Sequence, residues 1–457
     1  MSTFAYVLER SLGEKTNGDF IANTYAKESQ DLQINQAKIL HKQGMNVWHM
    51  DLDNAEDRYL LVGTGMASLH IYDIGELDDP SCVSSEVKPM CSIKPLPSTN
   101  KKAAQYYQDA PGHTSGITCV NWYPIDNGMF ATSSLDTTIK VWDANELEIA
   151  SAFLLQDPVH IAAFSPVVSG STAHLIAVGT DRPEVRLCDI SIGASTHQLM
   201  GHRASIRSLT WSKTNEYQLV SGATDGSIRV WDIRRSGATA CLMCLNIDGP
   251  AELPRRDTQG VSMLKKRKTG HDPHVAASTS SVIAHTKEVQ SLAYTPDGRY
   301  IVSSGADHAV RVWNSKSGHN MFHHYEDIKC PGPRHITVAM AQEGNSDSTM
   351  LYHPIGTRGM IASYCLLDEN TTLPRTNYTG HYSRVTSCIY RQSTRELISG
   401  GEDGLIAMWS PKTQPLFPSE ETTETTNEPS ATDGDDWSDE EEDAPNDRFI
   451  PPILQRE

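Results

Sequence analysis

Histidine, aspartate and tryptophan recur in this chain at fixed intervals. His113, Asp136 and Trp142 are followed by His202, Asp225 and Trp231, then His285, Asp307 and Trp313, then His381, Asp403 and Trp409. A histidine beside a carboxylate is the pairing of general-base chemistry, and grouped histidines and acids can hold a metal. Each set here belongs to its own segment, so the spacing gives four copies of one arrangement rather than one site. It suits a buried network in which aspartate and histidine meet across a folded unit and tryptophan supplies packing and an N–H donor. Losing one member costs about 3–5 kcal/mol if a buried charge is left unpaired. Cys241-Leu-Met-Cys244 has metal-ligand spacing but no second pair nearby, and reads as a hydrophobic outer strand. No GxSxG, HExxH or Walker-type glycine loop occurs. No catalytic residue, metal site or cofactor is expected, and a binding scaffold is the stronger class.

The elements that position these residues repeat. "GHTSGITCVNW…MFATSSLDTTIKVWD" spans Gly112 to Asp143, and similar segments run from Gly201 to Asp232, Ala284 to Asn314 and Gly380 to Ser410. Weaker copies end in "LHIYDI" and "VRLCDI". Asp143 to Asp189 is 46 residues and Asp189 to Asp232 is 43, close to the period of a WD40 blade, about 40–45 residues. Asn314 to Ser410 leaves room for two blades, so a worn copy is expected around His335 to Leu367. Within each unit apolar and polar residues alternate with period two and break at Asp-Gly or Asp-Thr, which is hairpin chemistry. The expectation is an all-β, seven-bladed propeller over residues 32–410. A closed ring leaves no exposed strand edge if a terminus completes its last sheet. "LQINQAKILHKQ", Leu32 to Gln43, can supply that strand. Within residues 1–31, Phe4, Val7, Leu8 and Leu12 have helical spacing; this helix either packs on the propeller or docks into a partner.

Two insertions interrupt the spacing, at about 78–109 and 249–282. The second contains Lys265, Lys266, Arg267 and Lys268, which reads as a nuclear localisation signal. Residues 411–457 hold three basic and fourteen acidic residues, a net −11, and so little apolar content that disorder is expected. That stretch carries most of the chain's net charge of −18. Nothing resembles a broad basic face for gripping nucleic acid, so direct nucleic-acid binding is not expected. No run of eighteen apolar residues points to a membrane span. The first residues lack a secretory pattern, and the nine cysteines are scattered. Reduced thiols in the cytosol or nucleus follow as the expectation.

One repeat ends differently. Trp142-Asp143-Ala144-Asn145, Trp313-Asn314-Ser315-Lys316 and Trp409-Ser410-Pro411-Lys412 have no arginine two residues past the strand's last polar position, whereas Trp231-Asp232 is followed by Arg234 and Arg235. The strand ends at a rim, so Arg234 is expected to be exposed beside Asp232. An arginine fork held by an acid presents a planar, preorganised contact. "LVSGATDGSIRVWDIR", Leu219 to Arg234, resembles the motif of WD40 receptors that dock onto the adaptor of cullin-4 ubiquitin ligases. "AVGTDRPEVRLCDI", "GHYSRVTSCIYRQSTRELISGGEDGLIAMW" and the acidic "DDWSDEEED" resemble the Cockayne syndrome A family. The match extends over nearly all of residues 40–410.

The resemblance implies a nuclear substrate receptor of a cullin-4 RING ligase in transcription-coupled nucleotide excision repair. It implies docking to the adaptor, and through it to cullin-4 and a RING subunit, by Trp231, Asp232 and Arg234, with Arg235 accessory and Phe4, Val7 and Leu8 supporting. The opposite face would receive a Cockayne syndrome B-type ATPase and the RNA polymerase II machinery. The alternatives are a nuclear WD40 scaffold in chromatin or RNA processing, and a propeller that binds damaged DNA directly.

Overall fold

The computed structural model describes residues 32–411, except 36–37, 42–43, 79–87, 98–109, 168–171, 173, 236, 249–282, 331, 333, 343–348 and 368–372. Phe4, Val7, Leu8, Lys265, Lys266, Arg267, Lys268 and residues 412–457 therefore lie outside the described residues.

The described strands form seven antiparallel sheets in a ring. Blade one consists of Val47–Leu52, Tyr59–Thr64, Leu69–Asp73 and Cys91–Ile93. Blade two has Ile117–Trp122, Met129–Ser134, Thr138–Asp143 and Ile149–Leu154. Blade three has Val159–Phe164, Leu175–Thr180, Val185–Asp189 and Ala194–Leu199. Blade four has Ile206–Trp211, Gln218–Ala223, Ile228–Asp232 and Cys241–Leu245. Blade five has Val289–Tyr294, Tyr300–Gly305 and Ala309–Asn314, with Asn320 bridging back to Trp313. Blade six, the worn copy, has Ala339–Gln342, Thr349–Ile355, Met360–Leu366 and Thr376–Thr379. Blade seven has Val385–Arg391, Glu396–Gly401 and Leu405–Pro411.

Leu32–Ile34 and Leu40–His41 complete blade seven by pairing with its third strand, Leu32 opposite Pro411 and Leu40 opposite Ile406. The ring closes where Thr386 Oγ1 donates to the Val47 carbonyl at 2.9 Å. There Leu40, Met50, Val62, Ile398 and Met408 share one core cluster. One sequence expectation needs correction. Residues 78–109 are not wholly an insertion, because Cys91–Ile93 pairs with Leu69–Ile71 as the outer strand of blade one. Three half-exposed residues in a polar, proline-containing stretch carry too little pattern to announce a strand.

Neighbouring blades cover both faces of each sheet, so the second strands bury nearly every residue rather than every other one. In six blades the register slips after the first residue of the inner strand, for example between Val47 and His49 and between Ile206 and Ser208. Such bulges add local twist. The ring has two rims. The near rim carries the first-to-second and third-to-fourth strand connections, and the far rim carries the second-to-third connections and the crossings between blades. At a far-rim hairpin Gly226 has φ of 78°, and a Cβ there would collide with the His285 carbonyl, so this turn requires glycine twice over.

Candidate functional site

The recurring histidines occupy four separate networks. In blade two His113 Nδ1 lies 3.0 Å from Asp136 Oδ2, and its Nε2 lies 2.7 Å from Thr132 Oγ1. Trp142 Nε1 donates to the same hydroxyl at 2.9 Å. Blade five repeats this with His285, Asp307, Ser303 and Trp313, and blade seven with His381, Asp403, Ser399 and Trp409. Blade four departs: His202 Nδ1 meets Ser227 Oγ at 2.7 Å, and Ser227 in turn donates to Asp225 at 2.6 Å. A hydroxyl thus relays the contact between His202 and Asp225. Burial pushes the Asp136 and Asp307 carboxyls up, but hydrogen bonds and charge from His113 and His285, joined by the Thr138 hydroxyl at Asp136, the Arg311 charge at Asp307 and a backbone N–H at each, together hold both below the carboxylate range. Burial pushes His202 down to about 3, helped by the Arg229 charge. The central hydroxyls, Thr132, Ser221, Ser303 and Ser399, escaped the sequence reading, although each lies ten residues before its tryptophan.

Asp232 ends the third strand of blade four at the near rim. Its Oδ1 accepts the Arg234 backbone N–H at 3.1 Å, which closes the turn over Ile233. The Arg234 guanidinium then grips the same carboxylate at two points, Nε to Oδ1 at 3.0 Å and Nη2 to Oδ2 at 2.8 Å. Arg234 Cζ lies 4.7 Å from the Tyr217 ring centroid. Hydrogen bonding from Arg234 holds the Asp232 carboxyl below its ordinary range, and Asp232 raises Arg234 in return. The Arg234 side chain is 60% exposed. Arg235 is more loosely held, with Nε 3.9 Å from Asp232 Oδ2. Trp231 is not part of any exposed surface: it is fully buried and donates to Ser221 Oγ at 2.7 Å. Its expected contact with an adaptor is therefore corrected to an architectural role. Asp232 is buried as well and acts by positioning Arg234.

A second fork on the same rim has no Trp-Asp-x-Arg signature. In blade one Arg58 Nε and Nη2 donate to Asp73 at 2.8 and 2.6 Å, and the guanidinium lies 5.3 Å from the Tyr59 ring centroid. Leu32 and Pro411 also lie at this rim.

The first strands surround a central cavity of about 290 Å³ lined by His49, Asp51, Cys119, Asn121 and His335, among others. Burial raises Asp51 to about 7 although it accepts the Trp122 N–H at 2.7 Å, and burial lowers His49 to about 3 and His335 to about 4. At the far rim Arg334 stacks 4.0 Å over the Trp48 ring and bonds Glu402 at 3.1 Å, while Tyr382 stands 90% exposed. Among the described residues no three His, Cys, Asp or Glu side chains are grouped to hold a metal ion. Arg234 at the near rim and Tyr382 at the far rim present a charged and an aromatic side chain to solvent.

Residues 105–143, 193–232, 277–314 and 372–410 match the family model for the WD domain, G-beta repeat. Segments 193–232 and 372–410 each begin before the outer strand of one blade and end with the third strand of the next. WD repeat-containing protein ATCSA-1 of Arabidopsis thaliana is 28% identical over 89% of this chain and 94% of its own length. DENN domain and WD repeat-containing protein SCD1, also of Arabidopsis thaliana, is 24% identical over 68% of this chain but only 22% of its own length. Ribosome biogenesis protein YTM1 of Chaetomium thermophilum is 32% identical over 27% of this chain and 25% of its own.

Proposed function

We propose that this seven-bladed WD40-repeat propeller is the non-catalytic substrate-recognition subunit of a cullin-4 RING ubiquitin ligase acting in transcription-coupled nucleotide excision repair. The observation that carries the reading is the exposed Arg234 guanidinium, clamped at two points by a buried carboxylate at the end of a Trp-Asp strand. A side chain already fixed by Asp232 and Tyr217 loses little further freedom when a partner covers it, which is why preorganised arginines serve as contact anchors. The likeness to ATCSA-1 along nearly the whole chain supports the same reading, since that name carries the initials of the Cockayne syndrome A family.

In this scheme Arg234 and Arg235 meet the cullin-4 adaptor at the near rim. The far rim, with Trp48, Arg334 and Tyr382, receives the Cockayne syndrome B-type ATPase and stalled RNA polymerase II. The protein breaks no bond. It raises the effective concentration of a target near the ubiquitin-charged enzyme. Lys265, Lys266, Arg267 and Lys268 would direct it to the nucleus.

Affinity purification from cells, with and without ultraviolet damage, tests the reading by mass spectrometry. Cullin-4, its adaptor and the ATPase are expected among the captured proteins, with the adaptor lost from Arg234→Glu. Capture of ribosome-assembly factors without any ligase subunit would instead favour the nuclear scaffold suggested by the shorter likeness to YTM1.

A further inference from the structure

Cys241 and Cys244 serve neither the fork nor the ring networks, yet their sulfurs lie 3.9 Å apart. Residues three apart in a regular strand point to opposite faces. Here Met243 pairs with Val230 while Cys241 pairs with the next residue, Trp231, so Leu242 is an extra residue and the strand is bulged. The bulge turns both thiols to one side, where they join Leu187, Leu199 and Trp231 in a core between blades three and four. Arg229, opposite Cys244 in the ladder, brings Nη1 to 3.7 Å from Cys241 Sγ.

We propose that Cys241 and Cys244 are a dithiol that hydrogen peroxide oxidises to an intramolecular disulfide. The hydrogen bond from Cys244 and the Arg229 charge favour the Cys241 thiolate, while the same bond and burial keep Cys244 protonated. This asymmetry separates an attacking sulfur from a resolving one. The Cys241 thiolate attacks one peroxide oxygen; the O–O bond breaks, and the departing hydroxide takes a proton to become water. Cys241 is left as a sulfenic acid. The Cys244 sulfur then attacks Cys241 sulfur, the S–O bond breaks, and the leaving hydroxide takes the Cys244 proton. Two thiols have given up two electrons, and one peroxide has become two waters. The sulfurs close from 3.9 Å to a bond of about 2.05 Å by side-chain rotation within the bulge. Both cysteines are nearly buried, at 6% and 4% exposure, but they lie on the outermost strand, where a molecule little larger than water has a short path. Burial pushes the thiols of Cys188 and Cys330 up to about 11 and Cys119 up to about 12, so those sulfurs are poor nucleophiles at neutral pH. The pair closes the connection that begins with Arg234, but its chemistry does not depend on any docking role for that residue.

The full-length reduced protein is titrated with hydrogen peroxide, alkylated and peptide-mapped. The peptide holding both cysteines should lose two hydrogens and resist alkylation at roughly tenfold less peroxide than oxidises Cys119 or Cys188. In Cys244→Ser, Cys241 should accumulate as a sulfenic acid captured by dimedone; Cys241→Ser should leave Cys244 unmodified at the same peroxide level. The wild-type map needs no variant to fold. Two alkylated thiols at a peroxide level that has already oxidised Cys119, or a disulfide from either residue to any other cysteine, would overturn the proposal.

Discussion

Blades one and four both end their third strand in a buried aspartate that grips an arginine at two points beside a tyrosine, yet they draw the arginine from different places. In blade four Arg234 comes from two residues past Asp232 and folds back over its own turn. In blade one that position is Gly75, and Arg58 arrives from fifteen residues earlier to fill the space. A Cβ on Gly75 would lie 2.9 Å from Arg58 Cγ. Both aspartates also accept the backbone N–H two residues on, as do Asp143, Asp189 and Asn314 in blades without a fork. The general task of this position is therefore to close a turn. The guanidinium is an addition, and a fork alone does not establish a docking site. Arg58 is a built-in control for Arg234: the charge and the rim are the same, but the side chain is less exposed, at 44% against 60%, and packs over Gly75.

The largest difference should appear in adaptor binding. Arg234→Glu is expected to weaken capture of purified cullin-4 adaptor by at least about tenfold, because it sets a like-signed carboxylate beside Asp232 and removes the anchor. Arg58→Glu should leave capture within about twofold and act on stability instead. Surface plasmon resonance on the two variants measures both. Equal losses would mean that the partner spans both forks, and a loss confined to Arg58→Glu would move the docking site to blade one.

Both forks stand on a ring whose acid stability is set elsewhere, and that background must be measured first. Burial lowers His49 and His202 to about 3, and His335 and His353 to about 4. Below the ordinary histidine value of about 6.5 the unfolded chain binds protons that the folded ring refuses, so stability falls as pH drops. Each such histidine contributes a slope of up to about 1.4 kcal/mol per pH unit between 6.5 and its folded value. Thermal melts should therefore show Tm dropping steadily from pH 6.5 to pH 4.5, in wild type and in fork variants alike. A flat profile would mean that these histidines take up protons in the folded state.

The contrast between the forks also marks what a linear sequence can reveal. Arg234 was legible because its partner is two residues away, within one motif. Arg58 was not, because nothing in the sequence pairs residue 58 with residue 73 until the hairpin brings them together. The blades were legible because period-two alternation and turn residues recur, and even worn blade six could be placed from the gap it had to fill. The closing strand Leu32–Ile34 followed from the need to cover an open edge. The outer strand Cys91–Ile93 is short and half exposed, so burial imposes little pattern on it. The Ser227 relay and the Cys241–Cys244 approach depend on rotamers and a bulge, which spacing does not encode.

Gly75 tests whether the blade-one fork is packing. Gly75→Ala should destabilise the ring by about 1–2 kcal/mol, since the new methyl displaces Arg58 from the turn. In an Arg58→Ala background the same substitution should cost much less, a coupling that a double-mutant cycle in urea would read. Arg234→Ala should leave stability unchanged within the scatter of ordinary surface substitutions, because its side chain is largely exposed. Full additivity of Gly75→Ala and Arg58→Ala would show that the glycine is there for the chain's path rather than for the arginine.

The smallest effect separates the charge of each fork from its turn. Asp73→Asn and Asp232→Asn keep a side-chain oxygen for the backbone N–H, the role Asn314 fills in blade five at 3.0 Å, but lose the carboxylate that grips arginine. Each should cost less than about 1 kcal/mol, because both arginines are substantially exposed and solvent screens the pair. The pH dependence gives the sign. Hydrogen bonding from Arg58 and Arg234 holds both carboxyls below the ordinary value of about 3.9. Their contribution is thus complete above that value and is lost as pH falls through the lower folded one. The Tm gap between wild type and each asparagine variant should stay constant from pH 7 to 5, while both lose stability to the buried histidines, and should narrow only below about pH 4. If the gap for Asp232→Asn is absent at every pH while adaptor capture still falls, the blade-four carboxylate serves its partner through Arg234 and contributes little to the fold.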